Sequence, residues 1–528
     1  MKQILQFASF VTRFELCITL ILLLVFLLPV WTLHAMPTLD GPAHIYNSKV
    51  VWQLWMEPSS WMHQFMMVNK NPSPNWIVQP LMGMLSQFFS PYVVEKIMLS
   101  SLITSFIFAF RYFVFTILPA QKSLALLGFV FVYNSPLILG YYNYNIGITL
   151  FFCATAFLFR FSSSPSWRSS ITFALLCIAL FFSHLIACAL FGLTASFIIL
   201  RDMVMRSNNS VYAKTNTWLK LLPGIIPVLI LFVGYFLNNR TSGSLDYMKP
   251  MEIAERIITF SANCCVSGTE HGFSRWIYFV VIGGTLISLL FRLPKINQLN
   301  LQFRKDNSGV FIIVGIFFIL LICTFLLPDG TSGGGGALTQ RLIFLTGAFM
   351  TLLAFTLFRN QLLQLLMVLV LVVVHVDKVN FLRKYYAQYE QYLIDVESAS
   401  HELDQPGFLV ALDFRGAYPF GHVSKQLGVN HGLLMMDSWS HKPFNCLQWK
   451  SEYIFDPQLL CWVADQWNCD PVQVERRLNQ KLTWITTVEE EHLSGRSEHH
   501  AGQWQSFLAD SCLLHQTMPG SIKIYRRK

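Results

Sequence analysis

The stretch Leu16–Leu33, LCITLILLLVFLLPVWTL, decides the fold of this chain. It contains no charged side chain, and about 20 consecutive apolar residues suffice for a helix to cross a bilayer. A membrane-spanning helix is therefore predicted here. The next residues, up to Ala35, would also suit a signal-peptide cleavage site, so a secretory signal is the alternative. An uncleaved anchor is favoured because the apolar core is longer than that of a typical signal.

The composition of the whole chain agrees with a membrane environment. Of its 528 residues 54% are hydrophobic and only 13% are charged, and the net charge is +9. Soluble domains carry roughly 25% charged residues. This low content excludes a soluble multidomain enzyme, a disordered chain and a nucleic-acid binder with a basic globular surface.

Ten further apolar stretches approach the length of a membrane span. They are Val93–Phe110, Leu124–Leu139, Ile146–Phe159, Ile171–Phe182, Leu185–Leu200, Leu221–Leu237, Trp276–Phe291, Val310–Leu327, Leu342–Phe358 and Leu362–Val376. The sequence thus predicts an α-helical polytopic membrane protein with about 11 transmembrane helices.

The positions of basic residues predict the orientation of these helices. Lys122 and Arg160 bracket one long apolar run, and Arg168 and Arg201 bracket another. Because short cytoplasmic loops collect Lys and Arg, each run is expected to fold back as a hairpin with both ends inside. The amino terminus is then cytoplasmic and the carboxy-terminal segment lies outside. We expect a bacterial inner membrane, with that segment in the periplasm.

Two domains are predicted from the change in composition after His375. Residues 1–376 form a transmembrane module with a large first external loop, 34–92, and residues 377–528 form an extracytoplasmic domain. Gly407–Phe414 and Ser521–Tyr525 are predicted strands and Pro471–Leu482 a helix, which indicates a small mixed α/β domain. Its four cysteines predict two disulfides of open connectivity, since disulfides persist outside the cytoplasm: Cys446, Cys461, Cys469 and Cys512.

The first external loop opens with the motif Leu39–Asn47, LDGPAHIYN. Asp40 precedes a proline that suits the first turn of a helix, and His44 follows one turn later. Two readings of Asp40 stay open at this point. It caps the helix, or its carboxylate at the water–lipid boundary takes a proton from a sugar hydroxyl. Further along the loop, the aromatic segments Val50–Trp55 and Trp76–Phe89 indicate either amphipathic helices on the bilayer or an aromatic belt.

An acidic residue in the first external loop, short spans and an external carboxy-terminal domain together resemble the GT-C superfamily. Its members are membrane glycosyltransferases that use polyprenyl-phosphate-linked sugars, such as protein O-mannosyltransferase-like enzymes and the aminoarabinose transferases of lipid A. The resemblance implies that Asp40 is the catalytic base. The family often has a second acid at this place, whereas here Gly41 and Pro42 follow.

The resemblance also implies the partners: a polyprenyl-phosphate-linked sugar, the lipid bilayer, and an acceptor glycan, lipid or protein. The leaving phosphate is an anion that a basic side chain on the outer face can stabilise, so no cofactor is required and metal use stays open. Arg341 is the first candidate because it begins a span directly after the Gly-rich loop. A lipid-headgroup contact is its alternative role. The other outer basic residues are Lys70, Lys96, Arg240, Lys249, Arg256 and Arg275.

Besides Arg341, His44 of the first loop and four further residues are candidate substrate contacts on the outer side. Tyr141, Asn143 and Asn145 offer a hydroxyl and amides that suit a sugar, and equally suit an aromatic belt. His184 lies between two apolar stretches, where a polar group is costly, and either contacts substrate or faces water. In the carboxy-terminal domain, Asp437 with His441, or His422 with His431, are less favoured catalytic sets.

Two functions of other classes compete with sugar transfer. A transporter or flippase for a lipid-linked glycan would need several charged residues along a path through the helices. A membrane-anchored sensor or assembly protein would depend on the external domain alone.

Overall fold

The structure is a computed structural model, and it describes residues 14–161, 166–205, 211–238, 244–290, 308–331, 336–356, 361–413, 419–429, 432–436, 446–450, 471–478, 480–488, 498–517 and 522–528. The helices of these ranges, in chain order, are α1 Glu15–Thr32, α2 Gly41–Met56, α3 Val78–Leu85, α4 Pro91–Ile117, α5 Gly128–Phe131, α6 Ser135–Ile138, α7 Tyr142–Phe161, α8 Trp167–Ser183, α9 Leu185–Met205, α10 Val211–Asn238, α11 Pro250–Ile258, α12 His271–Leu290, α13 Ser308–Leu326, α14 Leu338–Thr356, α15 Gln361–Ala387, α16 Glu390–His401, α17 Pro471–Leu478 and α18 Glu498–Ala509.

The strands are short and belong to three sheets. They are β1 Met66–Val68, β2 Leu245–Asp246, β3 Gly330–Thr331, β4 Gly407–Asp413, β5 Leu433–Met435, β6 Leu447–Trp449, β7 Trp484–Val488, β8 Ser511–Gln516 and β9 Ile522–Arg527. Two sheets are antiparallel pairs, β1 with β6 and β2 with β3. The third has five strands in the order β5-β4-β7-β9-β8.

The chain divides into two compact units, and each is described by itself. The first contains the described residues of Met1–Pro29 and Ser100–Leu382, and the second those of Val30–Leu99 and Arg383–Lys528. The predicted domain 1–376 placed the first external loop with the transmembrane helices. The structure groups this loop with the carboxy-terminal segment instead.

The first unit consists mainly of apolar helices. Eight helices among the described residues are long and apolar enough to cross a membrane: Glu15–Thr32, Pro91–Ile117, Tyr142–Phe161, Leu185–Val204, Leu219–Asn238, Ser308–Leu326, Leu338–Thr356 and Gln361–Ala387. All the predicted stretches except Leu124–Leu139 lie wholly or mostly on helices. The chain is therefore an integral membrane protein with a mainly helical membrane part.

The predicted span Leu124–Leu139 is corrected by the structure. It is divided between a 3-10 helix, Lys122–Leu127, and the four-residue helices α5 and α6. The interruption has a local cause, because Asn134 uses its side chain to accept the backbone N–H of Leu137 (2.9 Å) and so caps α6. A helix start in the middle of the run prevents one continuous helix.

Phenylalanine rings fill the interior of the first unit. The ring of Phe152 on α7 lies 5.3 Å from that of Phe110, 5.2 Å from Phe113 and 5.8 Å from Phe349, measured between centroids. Edge and stacked contacts at these distances are the preferred geometries of aromatic pairs. Burial of bulky rings thus joins α4, α7 and α14.

The second unit is built on the five-stranded sheet. β4 is parallel to both β5 and β7, and β9 is antiparallel to its neighbours β7 and β8. The predicted strands Gly407–Phe414 and Ser521–Tyr525 match β4 and β9, and the predicted helix Pro471–Leu482 matches α17 within a few residues. The small mixed α/β fold expected of this segment is confirmed.

Tyr46 connects loop 34–92 to the sheet by hydrogen bonds. The hydroxyl of Tyr46 on α2 donates to the carbonyl of Leu433 (3.2 Å) and accepts the N–H of Met435 (2.8 Å). Tyr46 is fully buried, and burial raises the pKa of its phenol well above the usual value. These paired hydrogen bonds, together with the pairing of β1 with β6, connect loop 34–92 to the carboxy-terminal segment.

The expected disulfides are not formed by the two cysteines that can be described. Cys446 is a buried free thiol and Cys512 an exposed free thiol. Two bridges need all four cysteines, so the two free thiols contradict the prediction of two bridges, while Cys461 and Cys469 lie outside the described residues. Burial raises the pKa of Cys446 to about 12.

Candidate active site

Asp40 lies at the start of α2, where the sequence placed it. Helix α2 begins at Gly41 and has a proline in its first turn, but the carboxylate of Asp40 makes no capping hydrogen bond. Instead the hydroxyl of Thr38 accepts the N–H of Gly41 at 3.0 Å. The capping role is thus taken by Thr38, and the carboxylate of Asp40 is available for another purpose.

The carboxylate of Asp40 meets a histidine of the carboxy-terminal segment. Oδ1 of Asp40 lies 3.1 Å from Nδ1 of His422, and the two side chains are 10% and 15% exposed respectively. A largely buried carboxylate with a nitrogen partner and some remaining access to solvent has the chemistry that a general base needs. His431, Asp437 and His441 lie outside the described residues.

His44 is adjacent in the helix but has a different neighbour. Its backbone N–H donates to the carbonyl of Asp40 at 2.9 Å. Its ring nitrogen Nδ1 lies 3.3 Å from Nε2 of Gln79, just after the start of α3. The structure therefore brings His44 next to Asp40 along the backbone and directs its imidazole to α3.

A buried glutamate fixes the loop that carries Asp40. Glu95, 2% exposed on α4, accepts the N–H of Thr38 (2.9 Å) and its hydroxyl (3.2 Å). Nearby, Nε2 of His34 lies 2.8 Å from Oε2 of Glu397. Since both ends of this short loop are held by carboxylates, the backbone before Asp40 has little freedom.

The predicted substrate contacts of the first unit form a second cluster around Arg341. The guanidinium carbon of Arg341, in the first turn of α14, lies 4.1 Å from the ring centre of Tyr141 and 5.8 Å from that of Tyr144. The Tyr144 hydroxyl donates to the carbonyl of Arg341 at 2.7 Å. The ring of His184 meets Tyr144 edge-on at 5.1 Å. We call Tyr141, Tyr144, His184 and Arg341 the arginine cluster.

Close helix packing places His184 in the arginine cluster. A Cβ atom at Gly147 of α7 would lie 2.7 Å from Cβ of Ala187 and 3.2 Å from Cβ of His184. Such distances are too short for any side chain, so glycine permits α7 to approach the junction of α8 and α9. His184 occupies that junction and is 7% exposed.

The electrostatics of the arginine cluster favour an anion. Nε of Arg341 and Nδ1 of His184 are buried and have no hydrogen-bond partner among the described residues. Burial first, and then the charge of Arg341, hold the pKa of His184 well below its usual value, so the imidazole is neutral. Nε of Arg341 is a donor that an anionic oxygen would satisfy, and neutral His184 donates from Nδ1 in the tautomer that carries the proton there.

Asn145 of the same motif supports the fold, and Asn143 beside it is buried. Asn145 uses its amide to donate to the carbonyls of Pro136 (3.2 Å) and Tyr141 (2.9 Å). Asn143 is 5% exposed. The structure thus makes Asn145 a support of the turn that presents Tyr141, rather than a member of the arginine cluster.

Metal ligands do not cluster around Asp40 in the part of the chain that the structure describes. No group of three or more His, Cys, Asp or Glu side chains in the described ranges converges in a way that could hold a metal ion. Asp40, with one histidine neighbour, supplies at most part of a ligand set.

The fold has a counterpart among solved structures, the crystal structure of ArnT from Cupriavidus metallidurans in the apo state. The match covers 97% of this chain and 98% of ArnT, with a TM-score of 0.53 and 10% sequence identity. The chain has a GT-C-like fold. At this identity the likeness concerns the fold alone, and it confirms the fold implied by the sequence resemblance. No protein-family model and no curated protein sequence matches the chain.

Two residues of the candidate sites, Tyr144 and His422, were not predicted from the sequence. Tyr144 stood inside the motif 141–145, and its alternation with Asn143 and Asn145 gave no reason to choose it. His422 was considered only with His431, because nothing in the sequence connects it to Asp40. Its contact exists because the loop and the carboxy-terminal segment fold into one unit.

Proposed function

We propose that this protein is a glycosyltransferase that moves a sugar from a polyprenyl-phosphate carrier to an acceptor hydroxyl at the outer face of the membrane. The observation that carries the proposal is the carboxylate of Asp40, released from helix capping and held 3.1 Å from His422. The likeness of the fold to ArnT, an aminoarabinose transferase, supports the reaction class.

In the proposed reaction Asp40 acts as general base. It accepts the proton of the acceptor hydroxyl, whose oxygen forms a bond to the anomeric carbon of the sugar. The bond between that carbon and the phosphate oxygen breaks on the opposite side, and the carrier phosphate leaves with the electron pair. Attack in line inverts the anomeric configuration.

Arg341 is our proposal for the cation that binds the carrier phosphate. Its guanidinium is stacked on Tyr141, and no carboxylate in the described parts of the chain pairs with it. A guanidinium offers a planar set of donors that fits phosphate oxygens. Because Arg341 would stabilise the charge of the leaving phosphate, the proposed reaction requires no metal. The effect of divalent metals on the rate of transfer can be measured directly.

We further propose that the amino terminus is cytoplasmic and the carboxy-terminal segment periplasmic. The arrangement of basic residues along the sequence supports this orientation. Cys512 is an exposed thiol and provides a test. A membrane-impermeant maleimide should label Cys512 in intact spheroplasts, and Cys512→Ser should remove that label. Labelling at this position only after lysis would reverse the orientation.

The test of the enzymatic proposal is Asp40→Asn in the full-length protein in lipid nanodiscs. The assay supplies a panel of radiolabelled polyprenyl-phosphate sugars with native envelope extract as acceptor, and measures label in the acceptor and release of the free carrier phosphate. Asp40→Asn should lower transfer by at least about 100-fold, since a general base contributes 10²–10⁴-fold.

Asp395→Asn is a matched control, because Asp395 is also buried in the second unit and accepts a hydrogen bond from Gln391 at 2.9 Å. It should retain transfer. Full activity of Asp40→Asn would remove Asp40 as the base. Movement of intact carrier across vesicles without release of carrier phosphate would replace the enzyme with the transporter alternative.

A further inference from the structure

The contact between Asp40 and His422 joins two distant parts of the sequence at one carboxylate. Asp40 belongs to the first external loop, and His422 directly precedes the 3-10 helix Val423–Val429 of the carboxy-terminal segment. Both side chains are largely buried, with Oδ1 and Nδ1 3.1 Å apart. We propose that His422 is a positioning residue for Asp40, an inference that rests on the proposed glycosyltransferase function.

The hydrogen-bonding capacity of Oδ1 of Asp40 and Nδ1 of His422 determines which atom is the acceptor and which is the donor. A carboxylate oxygen only accepts hydrogen bonds, so the proton in a bond between them belongs to Nδ1 of His422. Nδ1–H then engages Oδ1 of Asp40, and Oδ2 is the oxygen that accepts the proton of the substrate hydroxyl. The structure places the two atoms at ion-pair distance. Catalytic contacts commonly align only when substrate binds.

His422 is itself held by a rigid turn. The N–H of Val423 donates to the carbonyl of Phe420 (3.0 Å), and the N–H of Lys425 donates to the carbonyl of His422 (3.0 Å). The Phe420 ring packs against that of Tyr389, with centroids 4.2 Å apart. These contacts fix the backbone on both sides of His422.

The same turn packs next to the residue that precedes Asp40. A Cβ atom at Gly421 would lie 3.4 Å from Cδ1 of Leu39, which is ordinary van der Waals contact. On the other side, the carbonyl of Asp40 is bonded to the N–H of His44. The backbone of Asp40 is thus fixed by α2, and its side chain has His422 as the neighbour that determines the direction of the carboxylate.

Loss of a positioning residue should lower kcat and leave KM nearly unchanged. A misplacement of about 1 Å at a reacting group can cost about 100-fold in rate. His422→Ala should therefore lower kcat about 10- to 100-fold and leave KM for the donor within about twofold, because His422 does not touch the substrate. A group that only stabilised the fold would lower the amount of active protein and leave its kcat per folded molecule unchanged.

A pair of variants separates positioning from packing. The side-chain nitrogen of asparagine lies near the position of histidine Nδ1, whereas that of glutamine lies near Nε2. His422→Asn should therefore keep kcat within about threefold of the wild type, and His422→Gln should resemble His422→Ala. Added imidazole should restore part of the activity of His422→Ala.

A charge pair of the same unit gives the control. Nε of Arg527 lies 3.5 Å from Oε1 of Glu475, the two side chains are 17% and 16% exposed, and neither residue has a role in the reaction proposed above. Arg527→Ala should lower the melting temperature and keep kcat. Because all variants are compared per folded molecule after size-exclusion chromatography, poor folding does not imitate the expected loss.

The outcomes distinguish the inference from the function on which it rests. Wild-type kcat in His422→Ala, or equal losses in His422→Asn and His422→Gln, would overturn the positioning role while wild-type transfer still supports the enzyme. A rise in KM at unchanged kcat would also overturn it. Absence of transfer by the wild-type protein with every donor of the panel would instead refute the proposed function.

Discussion

The guanidinium carbon of Arg341 lies 4.1 Å from the ring centre of Tyr141, in the stacking range of a cation and an aromatic face. Cation–π contacts contribute about 0.5–2 kcal/mol, more when water is excluded. The contact fixes the plane of a guanidinium whose Nε has no hydrogen-bond partner among the described residues. The cation is therefore positioned before any anion binds.

We predict that charge and planarity at position 341 both matter. Arg341→Gln should lower kcat/KM for the lipid-linked donor by about 100-fold, the effect of losing about 2.7 kcal/mol of charge-assisted bonding. Arg341→Lys keeps the charge but loses the planar set of donors, so it should be intermediate, with a loss of about 10-fold. Initial rates over a series of donor concentrations measure both values.

Arg275→Gln is the control for this prediction. Arg275 is exposed at the start of α12 and is another of the outer basic residues noted in the sequence. Its replacement should leave kcat/KM within about twofold. Equal losses in Arg275→Gln and Arg341→Gln would indicate a general effect of positive charge and contradict a specific role for Arg341.

The membrane helices were largely predictable because apolar composition is itself the physical signal. Eight of the eleven predicted stretches coincide with helices long and apolar enough to cross a membrane, and two more, Ile171–Phe182 and Trp276–Phe291, lie on the helices α8 and α12. The run Leu124–Leu139 was wrong, since hydropathy does not detect the capping bond from Leu137 to Asn134 that begins a new helix within it. In the second unit, the predicted strand Gly407–Phe414, which contains a continuous apolar run, coincides with β4 at Gly407–Asp413.

The candidate sites were predictable in part. Asp40 was found because it precedes a proline-containing helix start, and Arg341 because a basic residue at an outer helix start is rare. Their partners depend on tertiary folding. His422 reaches Asp40 only through the packing of the second unit, and Tyr144 was distinguished from Asn143 only by the face of α7 on which it lies.

The neutral state of His184 predicts a dependence of stability on pH. Its pKa in the folded protein is well below the usual value, because of burial and the charge of Arg341. The unfolded chain, with a histidine pKa of about 6.5, takes up a proton that the folded state does not. Stability from this group is therefore complete above about pH 6.5 and is lost as pH falls toward the folded pKa.

The change expected between pH 7.5 and 5.5 is about 1.4 kcal/mol for this single group. His184→Gln does not titrate, so its melting temperature in detergent should fall less over the same interval than that of the wild type. The difference between the two curves cancels the other histidines. Parallel curves would show that His184 is protonated normally and would contradict its burial in a neutral state.

The last prediction concerns a buried charge pair of the first unit. Nζ of Lys378 lies 3.6 Å from Oε2 of Glu270, and the two side chains are 1% and 0% exposed. Lys378 also donates to the carbonyls of Tyr133 and Asn263, while Glu270 accepts the backbone N–H of Cys265 at 3.0 Å. Each charge is thus compensated by its partner and by backbone dipoles.

Removing one partner should lower the free energy of unfolding far more than removing both partners. Lys378→Met leaves the Glu270 carboxylate buried without its counter-ion, and such a loss typically destabilises by about 3–5 kcal/mol. In Lys378→Met/Glu270→Gln the buried net charge is zero again, and the amide oxygen, placed where Oε1 of Glu270 lies, still accepts the N–H groups of Val266 and Ser267, while the bond from Cys265 is lost. The double variant should therefore recover at least about half of the lost stability.

The double-mutant cycle is measured by thermal unfolding of the full-length protein in detergent, with retained helix content as the criterion of folding. Glu15→Gln is a comparison variant, because Glu15 is paired with Arg111 at 2.8 Å on other helices of the same unit. Distant sites behave additively, so Glu15→Gln combined with Lys378→Met should show the sum of the single effects. If Lys378→Met/Glu270→Gln were also merely additive, the two charges would not stabilise each other, and the backbone contacts alone would explain their burial.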